Sequence, residues 1–253
     1  MRYLAVAAVW AWTSPALADN TAQMLTYDLV LNGAVVGSRE VSIQYMEPFN
    51  PGDTESRLLE TWTRLDASMG AWNAQVENHS TAHITKSNSN FTSSMSFNGN
   101  LSEVQGHSMR DGRWALHGIF DQQLSSWQHR RTEVDMSSLD LLDPVRSQHL
   151  TTLTEAQILS AETGTIMTGP VSDLGERTLV VNGQEVPVHA WSWTPEEARF
   201  ELAWSSDGLL LDWKAEFKGQ TVHGRLRELP PPRSFGATTP VGNTMPEIVE
   251  EEL

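Results

Sequence analysis

The chain has 253 residues, which is enough for one large domain or two small ones and for a sizeable buried core. It holds 17 Lys and Arg against 32 Asp and Glu, and a formal net charge of −15 repels phosphate backbones, which argues against a nucleic-acid partner. It contains no Cys, which excludes disulfides, thiolate metal sites and a cysteine nucleophile.

Residues 1–18 have the three-part pattern of a secretory signal peptide. Arg2 is the one charge in this stretch, residues 4–12 are continuously apolar, and Ala16-Leu17-Ala18 forms an A-x-A cleavage site before Asp19. The apolar run is too short to span a membrane as a helix, which needs about 20 apolar residues. An exported chain without Cys indicates a bacterial periplasm or exterior, so we expect a bacterial periplasmic or secreted protein with no integral membrane segment.

Turn signals divide the rest of the chain into short alternating segments. Asn-Gly or Asp-Gly pairs stand at residues 32–33, 98–99, 111–112, 182–183 and 207–208. Such pairs supply the positive φ that both central residues of a type I′ turn require. Apolar residues alternate with polar ones on either side of the first pair and the last, a pattern that predicts antiparallel hairpins with one buried face.

The clearest alternation runs from residue 72 to residue 85. Even positions are mostly apolar or small, from Trp72 to Ile84, whereas all odd positions are polar. A strand sorts side chains in this way and a helix does not, so we predict one long strand. Similar polar-rich strands are predicted over residues 91–97, 101–109, 113–120 and 124–133, paired with their neighbours in an antiparallel meander.

The middle of the chain breaks this pattern. Residues 137–144 predict a short capped helical turn that stops at Pro144, and residues 150–161 predict a second helix with Thr154 as its N-cap. Strands resume at Arg177. Residues 230–253 are rich in Pro and end in an acidic run, which predicts a disordered acidic tail.

Two histidines have the spacing of a helical metal site. On a strand, however, four residues separate His79 from His83 by roughly 13 Å, so one ion cannot bind both. The sequence thus indicates no metal site, no cofactor and no catalytic residue. A secreted hydrolase or isomerase that uses Glu77, His79 and His83 on a polar sheet face stays open as an alternative.

Tryptophan is unusually common, with ten residues in the chain, of which eight follow the signal peptide. Several of these indoles can fill the core of a large sheet, and others can line a concave apolar groove that holds a ligand. Trp191 and Trp193 share a strand face with His189. We therefore take Trp62, Trp72, Trp191, Trp193 and His189 as candidate ligand-binding residues.

Several segments point to a family. The segments are residues 27–33, 36–37, 41–43, 161–164, 182–190 and 202–208, and the family that they resemble is a group of exported bacterial β-proteins of unknown function. This resemblance covers most of residues 24–229. It implies a sheet like the open half-barrel of periplasmic lipoprotein carriers of the LolA/LolB type, which wraps around short helices, and it implies no catalytic residues.

The sequence thus predicts one mainly β domain over residues 19–229, built as a single curved antiparallel sheet or open half-barrel. One or two short helices from residues 137–162 are expected against its concave side. The function that fits best is a non-catalytic binding or carrier protein for a lipid or another apolar or amphipathic small molecule. Besides the hydrolase or isomerase, the alternative is an envelope assembly factor that binds a protein partner through exposed strand edges.

Overall fold

The computed structural model describes residues 22–46, 56–69, 72–85, 88–109, 113–120, 123–129, 134–217 and 219–231. The predicted signal peptide, residues 1–18, lies outside the described residues, and so does the predicted acidic tail beyond residue 231. Within the described part, fifteen strands are hydrogen-bonded into one large curved sheet. No described pairing joins its two edge strands, so the sheet is open and the predicted mainly β fold is confirmed.

In chain order the strands are β1 (Gln23–Leu31), β2 (Ala34–Met46), β3 (Ser56–Met69), β4 (Trp72–Thr85), β5 (Ser89–Phe97), β6 (Asn100–Ser108), β7 (Trp114–Phe120), β8 (Gln123–His129), β9 (Met136–Ser137), β10 (Glu155–Leu159), β11 (Ile166–Val181), β12 (Gln184–Trp193), β13 (Ala198–Trp204), β14 (Leu210–Phe217) and β15 (Gln220–Leu226). Between β9 and β10 lie two short 3₁₀ helices, Asp140–Leu142 and Ser147–Thr152.

The sheet consists of two meanders joined at one seam. Its strand order is β8-β7-β6-β5-β4-β3-β2-β1-β15-β14-β13-β12-β11-β10-β9, so β1 and β15 are the one neighbouring pair that is distant in sequence. Among the described strands, all pairs are antiparallel except β9 with β10. Strand β4 pairs with β3 and β5 along its length, which confirms the long strand predicted from the alternation.

Three of the predicted turns have the expected backbone. Asn32, Asn98 and Asn182 each have φ near +50°, and each is followed by a glycine that also has positive φ, as a type I′ turn requires. At residues 207–208 only Gly208 has positive φ, and Ser205 N–H donates to the Leu209 carbonyl across three residues. That hairpin uses the longer three-residue loop instead. The pair at 111–112 lies outside the described residues.

A buried segment packs against one face of the sheet. We call residues 134–162 the plug segment; it includes the edge strands β9 and β10 and folds back over the other strands, and the sheet face that it covers is the inner face. The Trp193 and Trp204 indoles donate hydrogen bonds from β12 and β13 to backbone carbonyls of the plug, at 3.2 Å each. The buried Arg57 of β3 pairs with Asp143 of the plug, with 2.5 Å between Nε and Oδ2. These contacts fix the plug to strands from both meanders.

The helix predicted over residues 150–161 is wrong for most of its length. Glu155–Leu159 is strand β10, which pairs with β9 on one side and with β11 on the other. Within residues 155–159, Ala156 and Ile158 are buried two positions apart, which is the periodicity of a strand. The sheet edge offers ladder hydrogen bonds that outweigh a weak local preference for helix. The helical turn predicted near residue 140 is confirmed as a 3₁₀ helix.

Candidate functional site

The main candidate site is a cavity of about 230 Å³ between the plug and the inner face of β12–β14. Trp193, Phe200 and Trp213 form its aromatic wall on the sheet, and Trp193 stacks on Phe200 with 4.9 Å between ring centroids. Leu141 and Ile158 close it from the plug side. The resulting space, here called the inner cavity, is mainly apolar, as small-molecule sites usually are.

Two hydrogen-bond donors in the lining of the inner cavity lack a partner. The Trp213 indole Nε1–H and the Arg39 Nε–H are buried, and neither donates to any described residue. A buried donor without an acceptor costs about 1–3 kcal/mol. A bound molecule with an acceptor oxygen would remove that cost, so these atoms indicate where the polar end of a ligand would lie.

The position of the Trp213 ring depends on a glycine in the neighbouring strand. Trp213 lies opposite Gly224 in the register of β14 and β15. A Cβ atom on Gly224 would lie 2.1 Å from Cε2 of the indole, so the ring lies flat over the bare backbone at this point. Only glycine leaves that space for the ring.

The polar end of the inner cavity is built from the plug and β2. Arg39 approaches Glu162 with 3.9 Å between Nη2 and Oε1, and both side chains are largely buried. Ser138 and Ser160 donate hydrogen bonds to the other Glu162 oxygen at 3.0 and 3.2 Å. The cation and the carboxylate are therefore held in place at one edge of an apolar space.

Arg39, Glu162 and Trp213 were not predicted as site residues from the sequence. The alternation in β2 did contain a signal for Arg39. It lies two and four residues from Val41 and Ile43, so its side chain shares the inner face on which theirs are buried. A charged residue in phase with core positions indicates a buried partner or a site. Glu162 belongs to a turn, and periodicity gives no information on the direction of its side chain.

Two of the predicted binding residues meet in a second, smaller space. His189 and Trp191 line a cleft of about 220 Å³ together with Ser147 of the plug and Trp204 of β13. The imidazole and indole rings are roughly parallel, with 5.5 Å between their centroids. We call this space the side cleft. Trp193 lies in the inner cavity instead, so β12 contributes to both spaces.

His189 is paired with a carboxylate at a β-bulge. Its Nε2 lies 2.6 Å from Asp173 Oδ1, and the chain is irregular between Asp173 and Gly175. The Gly175 N–H donates to the Asp173 carboxylate, and this bond, followed by the one to His189, lowers the pKa of Asp173. The Ser147 hydroxyl in the same cleft is buried and hydrogen-bonds none of the described residues. Ser147 therefore has no hydrogen-bonded base among the described residues.

The other predicted binding residues lie elsewhere. Trp62 is 52% exposed and belongs to the outer face of the sheet, where it stacks on His79. Trp72 begins β4 and pairs with Met69 in the register, and its side chain lies outside the described residues. The structure therefore divides the five predicted residues among the inner cavity, the side cleft and the outer face.

The residues of the hydrolase hypothesis have separate partners on the outer face. Glu77 pairs with Arg64, His79 with Glu60, and His83 with Ser56. Since β4 is a strand, His79 and His83 are separated by roughly 13 Å. Glu77 and His79 both line a groove on this face, but His83 does not, so the three residues do not share one site.

The described residues contain neither a cluster of metal ligands nor a membrane-spanning helix. No group of three or more His, Asp or Glu side chains in the described part of the chain is placed to hold a metal ion. None of the described helices combines the length and apolar character that crossing a bilayer requires.

Comparison with known proteins shows a similarity of fold. No protein-family model matches the chain, and no curated protein matches its sequence. The structure is similar to the crystal structure of a β-barrel-like protein of the domain of unknown function DUF1849 from Brucella abortus, with a TM-score of 0.58 and 11% identity over 82% of this chain and 96% of that chain. At this identity the likeness shows the fold alone. The chain thus shares its fold with a bacterial β-protein of unknown function, and the resemblance to LolA/LolB carriers stays a prediction.

Proposed function

We propose that this chain is an exported bacterial binding or carrier protein whose inner cavity holds a small amphipathic molecule. The apolar part of the molecule lies against Trp193, Phe200 and Trp213, and an acceptor oxygen of its polar end lies beside Arg39. The chemical class is a single acyl or similar chain that ends in a carboxylate or carbonyl. This proposal unites the predicted signal peptide with the geometry of the cavity.

One observation carries the proposal, namely that two unpartnered donors belong to a mainly apolar cavity with one polar end. The Trp213 N–H and the Arg39 Nε–H are buried there without acceptors among the described residues, and an oxygen of a bound molecule would supply one. Glu162 reduces the net positive charge beside Arg39, so an uncharged carbonyl is accepted as well as a carboxylate.

The size of the cavity limits the ligand. Its volume of about 230 Å³ lies below the range of about 300–1,000 Å³ that is typical of drug-sized ligands. A single medium-length chain therefore fits better than a lipid with two acyl chains. Dodecanoate is a suitable probe because it has one chain and one carboxylate.

Calorimetric titration of the purified full chain with dodecanoate tests the proposal. We expect saturable binding with one site. Leu202→Trp should abolish it, since Leu202 lines the cavity and a larger ring fills the space. Trp213→Phe keeps the aromatic wall and removes the donor, and it should weaken binding about tenfold because one buried hydrogen bond is worth about 1 kcal/mol or more.

A matched control is available on the other side of the sheet. Trp62→Phe changes an exposed indole on the outer face and should leave dodecanoate binding unchanged. If dodecanoate does not bind, or if Leu202→Trp binds it as well as the unmodified chain while remaining folded, the proposal is wrong.

A further inference from the structure

A broad groove of the described surface lies on the outer face, away from the inner cavity. It has a volume of about 480 Å³ and runs across β2–β6. Its lining includes Trp62, His79, Glu40, Arg64 and Glu77. We call it the outer groove. It has no part in the function proposed above, and its chemistry differs from that of the inner cavity.

An exposed aromatic ring stands in the outer groove. Trp62 and His79 are partners in the register of β3 and β4, and their rings stack with 3.6 Å between centroids and 12° between planes. A hydrogen bond of 2.9 Å between the imidazole and the Glu60 carboxylate holds the imidazole in place. One indole face is therefore covered, and the 52% exposure of Trp62 comes from the remainder of the ring.

The uncovered side of the indole borders polar residues of the neighbouring strand. Glu40 lies opposite Trp62 in the register of β2 and β3. Ser38 lies opposite Arg64 in the next row, and Arg64 pairs with Glu77 at 3.4 Å. A ring stacked on Trp62 would thus meet carboxylate acceptors, a guanidinium donor and a hydroxyl at its edge.

The composition of the outer groove narrows the class of ligand. Among the described residues in and beside it, Glu40, Glu60 and Glu77 outnumber the one fixed cation, Arg64, so the groove disfavours an anion. Apart from Trp62 and the exposed Leu101, mainly charged and polar side chains line it, so an alkyl chain would leave many polar groups without partners. A neutral molecule with one apolar face and a rim of hydroxyl groups satisfies both conditions.

We propose that the outer groove is a binding site for a neutral saccharide. The C–H face of a pyranose ring stacks on the free side of the Trp62 indole. Its hydroxyl groups donate to Glu40 and accept from Arg64. The serines of β5 that line the same groove, Ser94 and Ser96, serve the next sugar unit.

Saturation-transfer NMR and calorimetric titration with chitotetraose and cellotetraose test this site on the purified full chain. We expect at least one of these neutral oligosaccharides to bind, with transfer strongest to the C–H groups of one ring. Trp62→Ala should weaken binding about tenfold, because aromatic stacking and its buried area contribute more than 1 kcal/mol. Glu40→Gln removes one charge without changing shape and should weaken binding about fivefold.

Control titrations show whether the outer groove itself holds the oligosaccharide. Trp191→Phe, on the inner face, should bind the oligosaccharide like the unmodified chain, and saturating dodecanoate should not compete. An exposed indole beside carboxylates also attracts organic cations, so choline is titrated in parallel. Binding of choline without either oligosaccharide would overturn the saccharide assignment, and so would binding of an oligosaccharide that Trp62→Ala leaves unchanged. Absence of all binding would overturn it too, without bearing on the inner cavity.

Discussion

The buried pair between Arg57 and Asp143 should hold the plug segment on the sheet. The Arg57 side chain is 1% exposed and that of Asp143 is 0% exposed, and 2.5 Å separate Nε and Oδ2. Asp143 Oδ1 also accepts the backbone N–H groups of Val145 and Arg146. Asp143→Asn keeps an acceptor for that turn but replaces the oxygen that accepts from Arg57 with an amide donor, so it removes both the charge and the hydrogen bond of this contact.

The expected cost of Asp143→Asn is large. It leaves the guanidinium of Arg57 buried without the counter-charge of Asp143, which costs about 3–5 kcal/mol, whereas an exposed pair is worth about 0–1 kcal/mol. For a domain of this size that cost lowers the thermal midpoint by roughly 10 °C. Replacing both charges, as in Arg57→Met with Asp143→Asn, should recover about 2 kcal/mol of the summed losses, because contacting residues are coupled.

Urea unfolding followed by circular dichroism measures these differences, provided that the slope of the transition is unchanged. Glu77→Gln is the matched control, because the Arg64–Glu77 pair has exposed side chains, at 80% and 60%. We expect its free energy of unfolding to change by less than about 1 kcal/mol. If Asp143→Asn costs no more than Glu77→Gln, the pair does not anchor the plug and the reasoning is refuted.

Two further predictions concern the inner cavity and the side cleft. Gly224→Ala should lower the free energy of unfolding by about 1–3 kcal/mol and push the Trp213 ring into the inner cavity, since the new Cβ would lie 2.1 Å from the indole. Urea unfolding measures the first effect, and the indole N–H signals in NMR measure the second. An unmoved Trp213 signal would contradict this packing. Asp173→Asn should reduce the acid sensitivity of the fold, because the Gly175 N–H lowers the pKa of the folded-state carboxyl. The resulting stability is present above the unfolded pKa of about 3.9 and is lost as pH falls through the lower folded value. The thermal midpoints of Asp173→Asn and the unmodified chain should therefore differ at about pH 6 and converge at about pH 2. Midpoint curves that stay parallel over this pH range would rule out this role of Asp173.

The strands were predictable because their information is local. In residues 72–85 the side-chain classes sort by parity, and Ala74, Asn78, Ala82 and Ile84 are indeed buried in β4. The Asn-Gly pairs at 32–33, 98–99 and 182–183 specify their turns through backbone sterics alone. Each of these signals depends on neighbours within a few residues, so the amino-acid sequence carries it in full.

The plug was harder to predict because a sheet edge decides its structure. Residues 155–159 were expected to be helical, yet β9 and β11 supply hydrogen bonds on both sides and make them a strand. The binding residues present the same difficulty. Trp191 and Trp193 are two residues apart and share a face, but the plug divides that face into a side cleft and an inner cavity.

By itself, the sequence determined that this chain is an antiparallel β-protein with given strands, turns and buried faces, since alternation and turn chemistry act over short distances. Only the tertiary structure decided which groups meet at a site. Arg39 and Glu162 are 123 positions apart, and Trp213 is 174 positions from Arg39. The seam between β1 and β15 joins the two ends of the domain, and the plug lies across both halves. Contacts of this kind depend on how strands distant in sequence pack, and no local pattern encodes them.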